Sequence, residues 1–368
     1  MRNMKKVCAL TLVLVLMLAV MSGCSGGNSS KTETPPASEK PASESTAPAL
    51  EQTPAERDWT VKEKTYISMV STPMGQSSYT TAAALCDLVT SLNPNIEMIS
   101  EESNGYGANV SLLINGEAEF GMTDALALQQ GYNATDDYTG YPEHQVVGVS
   151  ALNSAQMAVI VRADSDIQTL DDIRGKRVGI GQVGGTSLLH ALKMLEAAGI
   201  DPDKDITAYR VKSAEQAEMM KNDQLDVYIW CGSYSGSAQV DLVTSVDCRV
   251  ITLEDELIDK IIEQNPCYFK TEIPGGAYPG YDNPIPTFGS QTVFFCRADV
   301  PDEVIYQIVK AMYENLESLG VQSVGYRSCD VNAATKGLSV PVHPGAQAYY
   351  EEVGSACIAE HVAKYPMG

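Results

Sequence analysis

Residues 177–187 have the sequence RVGIGQVGGTS, in which a short apolar strand leads into a glycine-containing loop and then into the start of a helix. Gly184 and Gly185 allow backbone N–H groups to approach a ligand closely, and Thr186 or Ser187 can cap the helix that follows. A loop of this kind suits an anion such as a carboxylate. The Gly-Lys-Ser/Thr ending of a nucleotide-binding loop is absent, so nucleotide phosphate is not the expected ligand.

The order of elements around this loop occurs twice in the chain. Strand, polar loop, helix, strand, helix and strand occupy residues 66–123 and again residues 177–230, at a nearly constant offset. Short β-branched strands that alternate with amphipathic helices are typical of an α/β fold with mainly parallel strands. We therefore predict two α/β lobes that face each other across a ligand cleft and close about a hinge. Two unrelated α/β domains in series are the alternative.

The predicted hinge lies near residues 150–157 or 286–297, where the chain passes from one lobe to the other. Apolar runs at 146–151 and 157–161 predict two strands, and a further run at 292–296 predicts another.

Polar loops follow the predicted strands of both lobes, at residues 71–79, 103–109 and 231–236. Hydroxyl groups, glycines and aromatic rings dominate these loops, and small-molecule sites are usually lined by such groups. The predicted ligand contacts, including one more tyrosine further along the chain, are Ser71, Gln76, Ser78, Tyr79, Asn104, Tyr106, Thr186, Ser187, Ser233 and Tyr278. The alternative is that these loops only cap helices and that the aromatic residues belong to the core or its rim.

The first sixty residues differ in composition from the rest. A basic start, an apolar run too short to span a bilayer and a small-residue box before Cys24 predict a lipoprotein signal at residues 1–23, with Cys24 lipidated. Residues 24–60 are rich in Ser, Thr, Pro, Glu and Ala, and this composition predicts a disordered linker. We expect an extracytoplasmic protein, anchored by Cys24 to the outer face of the cytoplasmic membrane.

Charge and residue inventory exclude several functions. The net charge of −22 argues against nucleic-acid binding. No motif of a hydrolase, metalloprotease or dinucleotide enzyme is present, and the four histidines are expected on the surface or in packing contacts. The seven cysteines after Cys24 have no metal-binding spacing and are expected mainly as small buried residues, with one disulfide possible. We therefore predict a monomeric binding protein without catalytic residues, cofactor or metal.

Six stretches in a fixed order carry a family likeness: NGEAEFGMTDA (115–125), VIVRADSDIQTLDDIRGKRVGIGQVGGTS (159–187), KNDQLDVYIWCGSYSG (221–236), IPGGAYPGYD (273–282), CRADVPDEVIYQIVKAMYENL (296–316) and LSVPVHPGAQAYYEEVG (338–354). In this order they resemble the TAXI family, the substrate receptors of one branch of the tripartite ATP-independent periplasmic (TRAP) transporters. The resemblance covers residues 64–355.

The resemblance implies a type II periplasmic-binding-protein fold, with lobe 1 at residues 61–155, lobe 2 at 156–290, and 291–368 returning to lobe 1 with C-terminal helices. It also implies delivery of ligand to a membrane permease driven by an ion gradient. Similar proteins bind amino acids such as glutamate, or dicarboxylates such as 2-oxoglutarate. A small carboxylate or amino acid is therefore the expected ligand, with glutamine also a candidate.

Asp124 departs from the family pattern, because relatives carry Gln at this position. An additional carboxylate would repel an acidic ligand unless it pairs with an ammonium group. We predict that Asp124, if it faces the cleft, favours a ligand with an amino group; the alternative is that it caps the next helix. No arginine lies in the cleft loops to clamp a carboxylate, and the sequence does not show where Arg162, Arg177 and Arg297 point.

Three other functions remain open at this stage. The same fold serves receptors of ABC importers, which differ in their membrane partner. A sensor whose bound form touches a signalling protein would show the same binding. An exported enzyme on this fold would require turnover without an identifiable general base.

Overall fold

The computed structural model describes residues 57–74 and 76–367. The predicted signal, Cys24 and most of the predicted linker lie outside these residues. In the last residues of the predicted linker, Trp59 stacks on Tyr306 with ring centroids 4.5 Å apart, and Arg57 pairs with Asp302 at 2.8 Å. The chain is therefore packed against the folded body from Arg57 onward.

The first repeat has the predicted order of elements, and the three strands run parallel to one another. We call these six elements the first half: β1 (Thr65–Val70), α1 (Ser77–Leu92), β2 (Ile96–Glu101), α2 (Tyr106–Ile114), β3 (Phe120–Asp124) and α3 (Ala125–Tyr132). The first five confirm the prediction. Helix α3 follows β3 without an intervening loop and is the helix that the alternative interpretation of Asp124 implied.

The second repeat also has the predicted order, again with parallel strands. We call these six elements the second half: β5 (Arg177–Gly179), α4 (Thr186–Ala197), β6 (Thr207–Tyr209), α5 (Ser213–Lys221), β7 (Val227–Gly232) and α6 (Ser237–Ser245). The remaining elements are β8 (Cys248–Val250), α7 (Asp255–Gln264), β9 (Phe269–Ile273), α8 (Asp302–Glu314), α9 (Leu316–Gln322), α10 (Pro344–Glu352) and α11 (Ile358–Lys364), together with two long strands.

The two long strands join the halves. β4 (Val146–Arg162) has 17 residues and β10 (Ile285–Arg297) has 13, and they pair antiparallel with each other. The strand order is β2-β1-β3-β10-β4-β7-β5-β6, so each half contributes its own parallel strands to one mixed sheet. The prediction of separate strands at 146–151 and 157–161 was wrong, because the polar residues between them remain in the β4 ladder. The two halves are thus not independent domains in series.

Burial explains why the long strands hold the halves together. Every β10 residue from Thr287 to Cys296 is buried, and Phe288, Phe294 and Phe295 are almost completely enclosed. Full burial of an aromatic side chain of this size contributes about 2–3 kcal/mol relative to an exposed one. The largest core cluster includes apolar residues of both halves, whereas a second cluster lies around α5, α6 and the β9–β10 connection. The crossing strands are therefore the structural centre of the molecule.

The C-terminal helices pack on the part of β4 that lies beside the first half. The hydroxyl of Tyr350 donates to the Val149 carbonyl at 2.8 Å, and the Tyr313 hydroxyl lies 2.8 Å from Ser150 Oγ. Among the described residues, no helix has the length and apolar character needed to cross a membrane.

Candidate functional site

The carboxyl ends of the parallel strands in the two halves meet at the middle of the crossing strands. The last residue of β3, Asp124, pairs with Thr292 of β10. The last residue of β7, Gly232, pairs with Gln156 of β4, which pairs in turn with Gly289 of β10. Gly289 and Thr292 are three residue steps apart, or about 10 Å along the strand direction, and the ends of β3 and β7 lie three strand spacings, or about 14 Å, apart across the sheet. Loops that follow these strands therefore face one another, and ligands of open α/β sheets bind at this position.

The loop after β1 presents unsatisfied hydroxyl groups at this junction. The side chains of Ser71 and Thr72 are buried, and within the described chain their hydroxyl oxygens have no hydrogen-bond partner. The amide of Asn109 on α2 donates to the Ser71 carbonyl at 2.5 Å and to the Met122 carbonyl at 2.7 Å, which fixes the loop backbone against β3. Because buried polar groups are normally hydrogen-bonded, the two hydroxyls are candidates for a ligand or a bound water.

Two predicted contacts of the first half touch each other. Ser78 Oγ in α1 and the Tyr106 hydroxyl at the start of α2 are 2.6 Å apart. Burial raises the pKa of Tyr106, against hydrogen bonds from Ser78 and Thr292 that lower it, so the phenol is neutral and able to donate. This pair joins the beginnings of two helices and the β10 strand at one point.

The other first-half predictions lie further from this point. Tyr79 is half-buried, and Gln76 is exposed where α1 begins. Asn104 is exposed and lines a groove of about 700 Å³ beside α2, together with Ser103 and Ser111.

In the second half, α4 begins directly after the glycine-containing loop. Gly181 has a φ of +97°, and a Cβ there would lie 2.7 Å from the Leu188 nitrogen, so the tight turn requires glycine. Thr186 is half-buried in the first turn, whereas Ser187 is buried and its Oγ accepts a hydrogen bond from the Cys231 amide at 3.0 Å. The Ser187 oxygen therefore joins α4 to β7. Ser233 is exposed, and its hydroxyl lies 2.8 Å from that of Ser235.

Tyr278 is buried, and its role as a ligand contact stays a prediction. Its side chain is 3% exposed within the second core cluster, and its hydroxyl accepts from Gln239. The loop that carries it is fastened at Val250, whose amide donates to the Tyr281 hydroxyl. Val250 pairs with Ile160, four residues beyond Gln156 along β4, or about 13 Å from the junction. The sequence did not show that this loop connects the outer ends of two strands.

Asp124 caps the next helix, as the alternative interpretation proposed. Its Oδ1 accepts from the Leu126 amide at 2.8 Å, and its Oδ2 lies 2.8 Å from Ser290 Oγ and 3.1 Å from His190 Nε2. The side chain is 3% exposed. Both oxygens are therefore occupied by donors of the protein itself, and the carboxylate is not turned toward an open cleft.

His190 is the residue that sequence reasoning missed. It was expected on the surface or in simple packing, yet it is fully buried, and its Nδ1 lies 2.8 Å from the Tyr268 hydroxyl. The available signal was its position four residues after Thr186, which places both residues on the same face of α4. The order of carboxylate, imidazole and hydroxyl resembles a catalytic triad, and all three side chains are buried inside the protein.

The remaining histidines match the packing prediction in part. His343 donates to the Val300 carbonyl and His361 to the Val340 carbonyl, each at 2.9 Å, and burial lowers the pKa of both. His144 stacks on Tyr132 with centroids 4.4 Å apart.

The junction receives no positive charge from Arg162, Arg177 or Arg297. Arg177 binds Asp226 through two nitrogens, Arg162 lies near Asp164 and Asp223, and Arg297 pairs with Asp299. Each lies at the outer end of a strand. A carboxylate at the junction would therefore be held by neutral donors.

The described residues contain no group of three or more His, Cys, Asp or Glu that could hold a metal. All seven cysteines of this part of the chain are free thiols, and the four at positions 86, 231, 267 and 296 are buried as predicted. Burial raises the pKa of Cys86 to about 12.

Two α/β halves that share two crossing strands, with strand ends and helix starts converging between them, define the type II periplasmic-binding-protein fold. The chain belongs to the NMT1-like family, whose model matches residues 69–354.

Several solved structures are similar to this chain. XAC2383 from Xanthomonas citri, bound to chloride ion, has 12% sequence identity and a TM-score of 0.51 over 81% of this chain and 99% of that chain. The TctC solute binding protein from Polaromonas has 15% identity and a TM-score of 0.47 over 70% and 86% of the two chains. The periplasmic aliphatic sulphonate binding protein SsuA from Escherichia coli has 14% identity and a TM-score of 0.45 over 82% and 89%.

Proposed function

We propose that this protein is an extracytoplasmic receptor that captures a small carboxylate-bearing solute and delivers it to a TRAP-type permease of the TAXI branch. One observation carries the proposal: β3 and β7, one from each half, run toward each other along the crossing strands and end about 10 Å apart in the strand direction. Lobe closure over a ligand at this point is the operation that such an arrangement allows.

The groups at the junction favour a small acid bound through neutral donors. The hydroxyls of Ser71 and Thr72 have no partner among the described residues, and Ser78 and Tyr106 add a connected pair of hydroxyls. The start of α4 after Gly185 adds backbone N–H groups, which bind anions. Glutamate, glutamine and 2-oxoglutarate are the candidates that we favour.

The points where β4 and β10 change partners support the lobe boundaries that we propose. β10 pairs with β9 up to Gly289 and with β3 from Thr292. β4 pairs with β7 only from Gln156 onward. We place the hinge at these two points, with lobe 1 at residues 61–155 and 291–368 and lobe 2 at 156–290. The chain acts as a monomer tethered through lipidated Cys24.

A thermal-shift screen tests the binding proposal. The protein from Ser25 onward is heated alone and with glutamate, glutamine, 2-oxoglutarate, glycerol and sorbitol. A ligand that binds only the folded state raises the midpoint by mass action, so we expect a saturable shift with at least one acid and none with the polyols. No shift with any acid, and no acid released from denatured protein in mass spectrometry, would overturn the proposal.

The membrane and transport parts need separate tests. Cys24→Ser should move the protein from the membrane fraction to the soluble fraction. Deletion of the gene should abolish uptake of the bound acid, and collapse of the ion gradient should have the same effect while ATP is maintained. Uptake that depends on ATP and not on the gradient would assign the receptor to an ABC importer.

A further inference from the structure

A buried chain of hydrogen bonds links the two halves at the junction, and its members are Tyr268, His190, Asp124 and Ser290. Asp124 is the last residue of β3 in the first half, and His190 lies in α4 of the second half. His190 Nε2 is 3.1 Å from Asp124 Oδ2, and the two side chains are 1% and 3% exposed. Ser290 of the crossing strand β10 reaches the same oxygen at 2.8 Å. One carboxylate oxygen thus joins the first half, the second half and the strand that connects them.

The hydrogen-bond roles in this chain follow from the chemistry of its members. Ionised Asp124 only accepts, so Nε2 of His190 carries a proton and donates. Burial raises the pKa of Tyr268 well above its usual value, so its hydroxyl remains protonated, and it lies 2.8 Å from His190 Nδ1. The carboxylate then receives three donors, from Leu126, Ser290 and His190.

The chain holds the beginnings of two helices that face the junction. Asp124 is the N-cap residue of α3, and His190 lies one turn after Thr186 in α4. A change in the distance between α3 and α4 would break the bond between Asp124 and His190. The buried carboxylate would then lose one of its three donors, which is unfavourable in a site with little access to water. The bond therefore favours one particular separation of the two halves.

We propose that His190 is a positioning residue for ligand capture: through Asp124 it stabilises the arrangement of the halves in this structure, which we assign as the closed one. This inference rests on the proposed function, because closure is useful only to a protein that encloses a ligand. The affinity of a ligand for such a protein falls in proportion to the population of the closed state. Loss of the His190 donor should therefore weaken binding although His190 does not touch the ligand.

Hydrogen exchange tests the positioning role without any ligand. The full chain in mild detergent is compared as wild type, His190→Ala and His190→Gln, with exchange followed by mass spectrometry in peptides from α3 and α4. We expect His190→Ala to raise exchange at least fivefold in both Ala125–Tyr132 and Thr186–Ala197. The Gln amide nitrogen can still reach Asp124 Oδ2, so His190→Gln should restore most of the protection of α3.

Two matched controls separate positioning from general loss of stability. His361→Ala removes a buried histidine that bonds the Val340 carbonyl away from the junction, so it should lower the unfolding midpoint without changing α3. Lys193→Met removes two long ion pairs of a half-buried lysine in α4, at 3.7 Å to Asp136 and at 3.6 Å to Glu196, so it should have little effect. The proposal is overturned if His190→Ala leaves the exchange of α3 unchanged, or if His190→Gln behaves as His190→Ala does.

Binding provides an independent second arm. With L-glutamate and 2-oxoglutarate as probes, His190→Ala should raise the dissociation constant about tenfold, mostly through faster dissociation. In an Asp124→Asn background the same substitution should add less than twofold, because the two residues act through one bond. If neither acid binds the wild type, the ligand assignment fails while the exchange result still decides the role of His190.

Discussion

Ser78 Oγ lies 2.6 Å from the hydroxyl of Tyr106, so the first turn of α1 and the first turn of α2 are joined by a single hydrogen bond at the mouth of the junction. The two residues are 28 positions apart in the chain. Burial keeps the phenol neutral, so the pair retains a hydroxyl hydrogen that can be donated to a third group. A carboxylate oxygen of the ligand is the acceptor that we assign to it.

Tyr106→Phe should therefore weaken acid binding by about 5–20-fold, since a hydrogen bond to a charged group contributes roughly 1.5–3 kcal/mol and water replaces part of it. Isothermal titration with the acid found in the thermal-shift screen measures the change. Tyr281→Phe is the matched control, because it removes a hydroxyl bonded to Val250 at the outer end of the second half. Equal losses in both variants would refute the assignment of Tyr106 to the ligand.

Ser187 has a structural role that can be measured apart from binding. Its Oγ is the acceptor for the buried amide of Cys231, so Ser187→Ala leaves that N–H without a partner. The free energy of unfolding should fall by about 1–3 kcal/mol in urea titrations. Ser91→Ala, which removes an exposed hydroxyl bonded to Leu88, should change it by no more than about 0.5 kcal/mol. A similar small loss for Ser187 would mean that water reaches the Cys231 amide.

Much of the fold could be predicted because its determinants are local. The alternation of strand and helix recurs in both halves, and the structure has both repeats in the predicted order. The glycine-containing loop lies before Thr186 in the second half. The continuity of β4 could not be predicted, since Ser154 and Gln156 look like a break between apolar runs. Their side chains lie at the junction of the halves, and Ser154 donates to Gln291 of the crossing strand at 2.9 Å.

The site was harder to predict because its geometry depends on long-range contacts. Asp124 and His190 are 66 positions apart, and no spacing rule connects them. Tyr278 was predicted to contact the ligand because of its residue type and the family likeness, and the sequence did not show that its loop joins the paired ends Ile273 and Ile285 of β9 and β10. Residue type indicates what a side chain can do, and topology decides where it does so.

The two buried histidines of the C-terminal segment predict loss of stability in mild acid. Burial lowers the pKa of His343 and of His361 below the ordinary value of 6.5. Below that pH the unfolded chain takes up protons that the native imidazoles do not bind. The free energy of unfolding should therefore decrease as pH falls from about 6.5, by at most about 1.4 kcal/mol per pH unit for each histidine.

Urea titrations at pH 7.5, 6.5 and 5.5 measure this dependence. His361→Gln replaces one titrating ring by a neutral amide, so its stability should be lower at pH 7.5 but should change less between pH 6.5 and 5.5. A wild-type protein that gains stability over this interval would show that the native histidines bind protons more tightly than the unfolded chain does.

The contact between α8 and α10 predicts a strong effect at one glycine. Gly345 lies in the first turn of α10, and a Cβ there would overlap the Asp302 carbonyl oxygen and lie 2.9 Å from the Tyr306 nitrogen. These are backbone atoms at the start of α8, so no side-chain rotation relieves the overlap and the helices must separate.

Gly345→Ala should lower the free energy of unfolding by about 1–3 kcal/mol. Gly320→Ala in α9, where the nearest neighbour of a Cβ would be Arg327 Cγ at 3.6 Å, should be neutral or stabilising by up to about 1 kcal/mol. Thermal unfolding of both variants measures the difference, and equal midpoints would show that α10 can move away from α8 without loss of packing.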